Sequence, residues 1–196
     1  MLRMLITAAT LVTLALPAQA QKLSLGEISR YLNSIQTAQG TFTQINGDGT
    51  ISTGTISIKR PGKVRFDYNP PERALVLATA GSVYILDRKF GGQPDSYPLN
   101  QTPLSIILAR NVNLSQAGMV HGHSFDGTAT VVTAQDPKRP EYGSIQLKFT
   151  GKPAELRQWI IKDGNGGSTT VVLGGLEKKT LPNRLFQIEP ELEKLR

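Results

Sequence analysis

Residues 54–68 read Gly54-Thr-Ile-Ser-Ile-Lys-Arg-Pro-Gly-Lys-Val-Arg-Phe-Asp-Tyr68. At period two, Ile56, Ile58 and Arg60 share one face of an extended segment, while Thr55, Ser57 and Lys59 share the other. Pro61-Gly62 breaks the ladder and turns the chain. In the next segment Val64, Phe66 and Tyr68 point one way, and Lys63, Arg65 and Asp67 the other. This is the alternation of half-buried antiparallel strands. Arg60 is the exception, a charge on the apolar face. An unpaired buried charge costs several kcal/mol, so its guanidinium must reach the rim or find acceptors inside.

Outward from this stretch the chain is mostly strand and turn. Phe42 opens an earlier strand, and Asn46-Gly47-Asp48-Gly49 is a turn signal. Residues 74–79 and 83–87 form two short strands, apolar on both parities, so which parity faces inward stays open. Gly91–Pro98 reads as a loop. Strands are expected near 119–125, 128–135, 143–149, 155–162 and 168–174, with a last one at Asn183–Ile188 and a fraying tail beyond Pro190. Two helices interrupt the pattern. Over 23–38, Leu25, Ile28, Leu32 and Ile35 form an apolar stripe behind a Ser24–Glu27 capping box. Over 103–110, Thr102 reads as N-cap and Pro103 as the first helical residue. The expected fold is mainly β: an incomplete, strongly curved antiparallel β-barrel with the helices lidding its concave apolar face.

Residues 1–20 have the plan of a signal peptide: Arg3, the apolar run Leu5–Leu16, then Ala18-Gln19-Ala20 before cleavage. Residues 21–196 are expected to make a single domain. The chain contains no cysteine, which excludes disulfides, thiol nucleophiles and lipidation on a lipobox cysteine. Its formal net charge is +7, but the basic residues are dispersed and lack interleaved stacking aromatics, so nucleic acid is not an expected partner.

Chemistry-bearing motifs are sparse. His121 and His123, the two histidines, supply half of a metal site at best, without third and fourth ligands in a recognised spacing. Asp48 and the Asp163–Gly167 run suit hairpin turns rather than calcium loops. No catalytic residue, metal or cofactor is expected. A wide curved sheet leaves either a filled core or an apolar cavity, and Arg60 beside the apolar 103–110 helix favours a cavity. Its candidate lining is Ile56, Ile58, Val64, Phe66, Tyr68, Leu77, Tyr84, Leu86, Leu104, Ile107 and Leu108.

Phe42-Thr43-Gln44, the run from Gly54-Thr55 through Lys59-Arg60-Pro61-Gly62, Arg65-Phe66, Tyr68 and Pro71, and Thr102-Pro103-Leu104 through Leu108-Ala109-Arg110 together resemble the LolA family. Asp163 with Gly166, and Asn183 with Phe186, extend the likeness over nearly all the chain after the leader. The resemblance implies a monomeric periplasmic carrier whose cavity holds the acyl chains of lipoproteins. It implies loading by an inner-membrane ABC transporter and delivery to an outer-membrane lipoprotein acceptor. It makes Arg60 the lid latch. Where relatives carry Trp-x-Tyr, this chain has Tyr84-Ile85-Leu86. The alternatives are a related envelope protein with another lipid cargo, a binding module with a filled core, and a His-based metal-dependent envelope enzyme.

Overall fold

The computed structural model describes residues 21–151 and 153–195, so the expected signal peptide lies outside the described residues. Helix α1 (Leu25–Ser34) opens on the expected capping box: Ser24 Oγ accepts from the Glu27 backbone N–H at 3.2 Å, and Glu27 Oε2 accepts from the Ser24 N–H at 2.7 Å. It is shorter than the stripe suggests. Strand β1 (Thr37–Ile45) begins before residue 38, because it pairs with β2 (Ile51–Lys59) along its whole length, from Thr37↔Lys59 to Ile45↔Ile51. A continuous antiparallel ladder outweighs one further helical turn.

The chain then meanders through β3 (Lys63–Tyr68), β4 (Ala74–Thr79), β5 (Ser82–Asp87) and β6 (Asp95–Pro98). This last strand corrects the expected loop: despite its turn-rich composition, Asp95–Pro98 pairs with β5 at the sheet edge, where the absent N–H of Pro98 is tolerated. A 3-10 turn, Leu99–Gln101, leads into α2 (Leu104–Leu108). Thr102 is not its N-cap. The Thr102 hydroxyl instead donates to the Leu99 carbonyl at 2.8 Å, closing the preceding turn.

Strands β7 (Val120–Phe125), β8 (Ala129–Gln135), β9 (Ser144–Thr150), β10 (Glu155–Lys162) and β11 (Ser168–Leu173) return the chain to β1, and β12 (Glu177–Lys178) also pairs with β1. The order is β6-β5-β4-β3-β2-β1-β11-β10-β9-β8-β7, antiparallel throughout, with β6 and β7 at opposite edges. Val83 of β5 and Val132 of β8 nevertheless share one buried cluster with α1 and α2. Only a sheet curled round the helices brings such distant strands together, and its edges do not pair.

The convex face is covered as well. The expected strand at Asn183–Ile188 is instead a 3-10 turn, Asn183–Phe186, followed by α3 (Glu189–Glu193). Leu181, Phe186 and Ile188 bury Leu75, Leu77 and Leu86 beneath them. Arg65 does not reach water either. It is 6% exposed and pairs with Asp67 and with Glu191, 3.1 Å away, while Arg88 bonds the same two carboxylates at 2.9 and 2.6 Å. Burial raises the pKa of Glu191 and Asp67, but the facing guanidinium groups more than offset it and hold both carboxyls below their usual range.

Candidate functional site

Where β2 ends, the Arg60 N–H donates to the Gln36 carbonyl at 2.8 Å, fixing its backbone at the junction of α1 and β1. The side chain runs beneath the helices and is 7% exposed. Its Nε donates to the Ala109 carbonyl at 3.1 Å, and one Nη donates to Asn33 Oδ1 at 3.0 Å. Two further donors reach the Leu32 carbonyl and Ala109 again. Leu32 lies in the last turn of α1 and Ala109 follows α2, so these are carbonyls near helix ends, where intrahelical donors run out. One guanidinium therefore ties the ends of both helices to the sheet. All its acceptors are uncharged; burial pushes its pKa down, yet an arginine stays protonated. The turn after it adds a second tie, with the Gly62 N–H donating to the Leu108 carbonyl at 2.9 Å.

Between the concave face and the segment leading into α2 lies a cavity of ≈ 730 Å³. Phe66, Tyr68, Val76, Val83 and Trp159 are among its apolar walls, and Leu104 closes it from the helix side. Phe42 meets Phe66 and Tyr68 edge-on at ring separations of 5.2 and 5.0 Å, and Phe66 meets Trp159 likewise at 6.2 Å. Interlocked rings make a stiff wall. The Tyr68 hydroxyl donates to Gln44 Oε1 at 2.6 Å, and burial pushes the phenol up to about 12. A smaller void of ≈ 20 Å³ is bounded by Arg60, Ile58, Ile107 and Leu108; Trp159 borders both spaces.

Of the residues expected at the cavity, Phe66, Tyr68 and Leu104 line it. Ile58, Ile107 and Leu108 line the smaller void, and Ile56 and Val64 are buried in the same cluster. Leu77, Tyr84 and Leu86 are corrected. The register Arg65↔Leu77↔Tyr84 and Asp67↔Leu75↔Leu86 sets all three on the convex face, against the C-terminal segment. The opposite parity, Val76, Val83 and Ile85, faces the cavity. Asn33 escaped the sequence reading. A polar residue at the end of an amphipathic helix looks like a solvated cap, yet its Oδ1 accepts from Arg60 and from the Val112 N–H at 2.9 Å, and its Nδ2 donates to the Val112 carbonyl at 2.9 Å.

His121 is exposed, a register shift falls beside it, and the His123 Nε2 donates to the Leu23 carbonyl at 2.8 Å. Among the described residues no group of three or more His, Cys, Asp or Glu is placed to hold a metal ion. The Asp163 run is a turn: its Oδ1 accepts from the N–H groups of Asn165 at 2.8 Å and Gly167 at 2.9 Å.

An open antiparallel sheet curled around an apolar cavity and roofed by helices is the architecture of a small binding protein for apolar ligands. Residues 33–189 match the family described as outer membrane lipoprotein carrier protein LolA, and the chain belongs to that family. It is 24% identical over 188 residues to an outer-membrane lipoprotein carrier protein of Cupriavidus taiwanensis, covering 90% of this chain and 88% of that one. It is 28% identical over 192 residues to one of Dechloromonas aromatica, covering 89% and 88%. Among solved structures, a LolA superfamily protein of Nitrosomonas europaea is similar at a TM-score of 0.45 and 13% identity, covering 86% of this chain and 99% of that one. No helix among the described residues is long and apolar enough to cross a membrane.

Proposed function

We propose that this protein is a periplasmic carrier that shields lipoprotein acyl chains in its cavity and moves them from the inner to the outer membrane, without catalysis. An inner-membrane ABC transporter would load it and an outer-membrane acceptor would empty it. The observation that carries the reading is the ≈ 730 Å³, largely apolar cavity beneath the segment that leads into α2, in a chain of the lipoprotein-carrier family. Covering a chain from water is worth roughly 0.8 kcal/mol per methylene, so even one acyl chain is held firmly and release needs a device.

Arg60 is that device in this reading. With the cavity empty its bonds to Leu32, Asn33 and Ala109 keep the roof down. Entering chains lift α2 and break some of them. Hydrogen bonds to a charged group are worth about 1.5–3 kcal/mol each, comparable to a few methylenes, so they lower net affinity without abolishing capture. The test is a two-step assay that scores loading and transfer separately. Arg60→Leu should load as well as the unaltered protein or more tightly, and transfer poorly. Arg60→Lys should be milder, keeping charge but losing the fork. Transfer by Arg60→Leu at the unaltered rate would sink the latch; failure of the unaltered protein to take up any lipoprotein would sink the cargo.

A further inference from the structure

Two polar side chains stand beside the aromatic wall of the main cavity. Gln44 of β1 and Tyr68 of β3 both line it, and both are half-buried. The register places them. Along the inner face of β2, Ser52 stands beside Gln44, Gly54 beside Tyr68, Ile56 beside Phe66 and Ile58 beside Val64, and Arg60 comes next. The amide is therefore at one end of an apolar run and the arginine at the other.

Which way the Gln44 amide faces is decided at the β1–β2 hairpin tip. The Thr50 hydroxyl and N–H both donate to Asp48 and hold its carboxyl below the usual range, so Asp48 has no proton to give. Thr50 must direct its one hydroxyl proton to Asp48 Oδ1, 2.7 Å away, and accept one from Asn46 Nδ2 at 2.8 Å. That turns Asn46 Oδ1 toward Gln44, where it accepts from Nε2 at 2.6 Å. Gln44 Oε1 is left to accept from the Tyr68 hydroxyl at 2.6 Å. An amide nitrogen carries two hydrogens. Asn46 takes one, and the second is left for the cavity that Gln44 lines.

We propose that this second hydrogen recognises the ester carbonyl at the head of an acyl chain. The proposal rests on the carrier reading and deepens it. A carbonyl drawn into an apolar space loses its water and must be given a donor. Gln44 supplies one where the apolar run begins, so the methylenes beyond the carbonyl lie along Phe66 and Val64 toward the void under Arg60. Methylene burial cannot tell an acyl ester from an alkyl ether of equal length, because both offer the same chain to the same walls. The donor can: an ether brings no carbonyl, and a ligand that leaves a polar group of the site unmatched is penalised. Asp48 never touches the ligand. It is a positioning residue that fixes the sense of the relay.

The probes are two matched pairs of soluble short-chain lipids, each with an ester-linked and an ether-linked member. One pair is built on a glyceryl-cysteine lipopeptide and the other on phosphocholine, and binding is read by displacement of an uncharged fluorescent dye. In at least one pair the ester should bind about three- to tenfold more tightly than the ether, and the pair that shows it identifies the source of the carbonyl. Gln44→Met, of similar length but without a donor, should bring the two members to within about twofold while the ether binds as before. Thr50→Val leaves every cavity-lining side chain in place and should lose part of the preference. Equal binding of ester and ether in both pairs would overturn the site while leaving the carrier standing, and so would a preference untouched by Gln44→Met. A preference untouched by Thr50→Val would overturn the relay from Asp48. Failure of all the probes to displace the dye would overturn the carrier reading and the site with it.

Discussion

Asn33 Oδ1 lies 3.0 Å from an Arg60 Nη, so a side chain in the last turn of the first helix is a direct partner of the buried arginine. The same oxygen accepts from Val112, which makes Asn33 the joint between α1, Arg60 and the segment after α2. Asn33→Ala removes all of these bonds and leaves a buried guanidinium donor unmatched. The expected cost is about 1–3 kcal/mol in urea unfolding. Asn33→Asp keeps the acceptor, and should recover a large share of the stability while adding a charge pair that weakens with salt.

The C-terminal segment is held by charge as well as by packing. Glu191→Ala takes from Arg65 and Arg88 one of the two carboxylates they share and leaves Asp67 to face both; losing these charge-assisted bonds should cost about 1.5–3 kcal/mol. Limited proteolysis should then cut the region after Leu181 first.

Protonation should mimic that substitution. The folded-state pKa of Glu191 and of Asp67 is depressed, so their contribution is complete above the ordinary carboxylate pKa and is lost as pH falls through the lower folded values. The urea midpoints of the unaltered protein and of Glu191→Gln should therefore lie far apart at pH 7 and converge toward pH 3. A gap that stays constant would show that the carboxylate does not titrate with the fold.

Tyr68, like the half-buried Tyr31, should weaken the fold in alkali. Its phenol is raised to about 12 in the folded state, against about 10 when unfolded. The unfolded chain then loses that proton first, so stability falls as pH rises between those two values. Tyr68→Phe should flatten this slope, and ultraviolet titration should find Tyr68 among the last phenols to ionise.

Gly54 stands opposite Phe42 in the β1–β2 ladder, and a Cβ there would lie 2.1 Å from the Asp67 carbonyl oxygen and 2.6 Å from the Phe42 ring. Gly54→Ala must push the strand or the ring aside, at about 1–3 kcal/mol. Since Phe42 braces Phe66 and Tyr68, weaker uptake of an apolar probe should accompany the loss of stability.

Much of this arrangement was legible in sequence wherever one parity was polar. Ile56, Ile58 and Arg60 against Thr55 and Lys59 admit one reading, and the Ser24–Glu27 box marked the start of α1 to the residue. The reading failed where both parities were apolar. In β4 and β5 the alternate residues of each strand serve two cores, and the pattern holds no mark of which is inside; the register with Arg65 and Asp67 decides it. The convex core was itself hidden, because its cover comes from residues 181–195, whose mix of Leu and Glu resembles a solvated tail. The burial of Arg65 was hidden for the same reason: its partner Glu191 is remote in sequence. Asn33 carried no local signature at all, being set apart by its three-dimensional neighbours alone.

The neutrality of every acceptor around Arg60 has a further meaning. A bridge made of one cation and several dipoles differs from an ion pair in what it leaves behind when it opens. Release strands no anion in the apolar interior, and the freed guanidinium needs only water. Ionic strength screens charge–charge attraction far more than it weakens a short contact between a cation and a carbonyl, and the acceptors have no proton to gain in mild acid. In the proposed carrier the roof's closure would thereby be insulated from the salt and acidity of the surrounding fluid, and left responsive to the filling of the space beneath it.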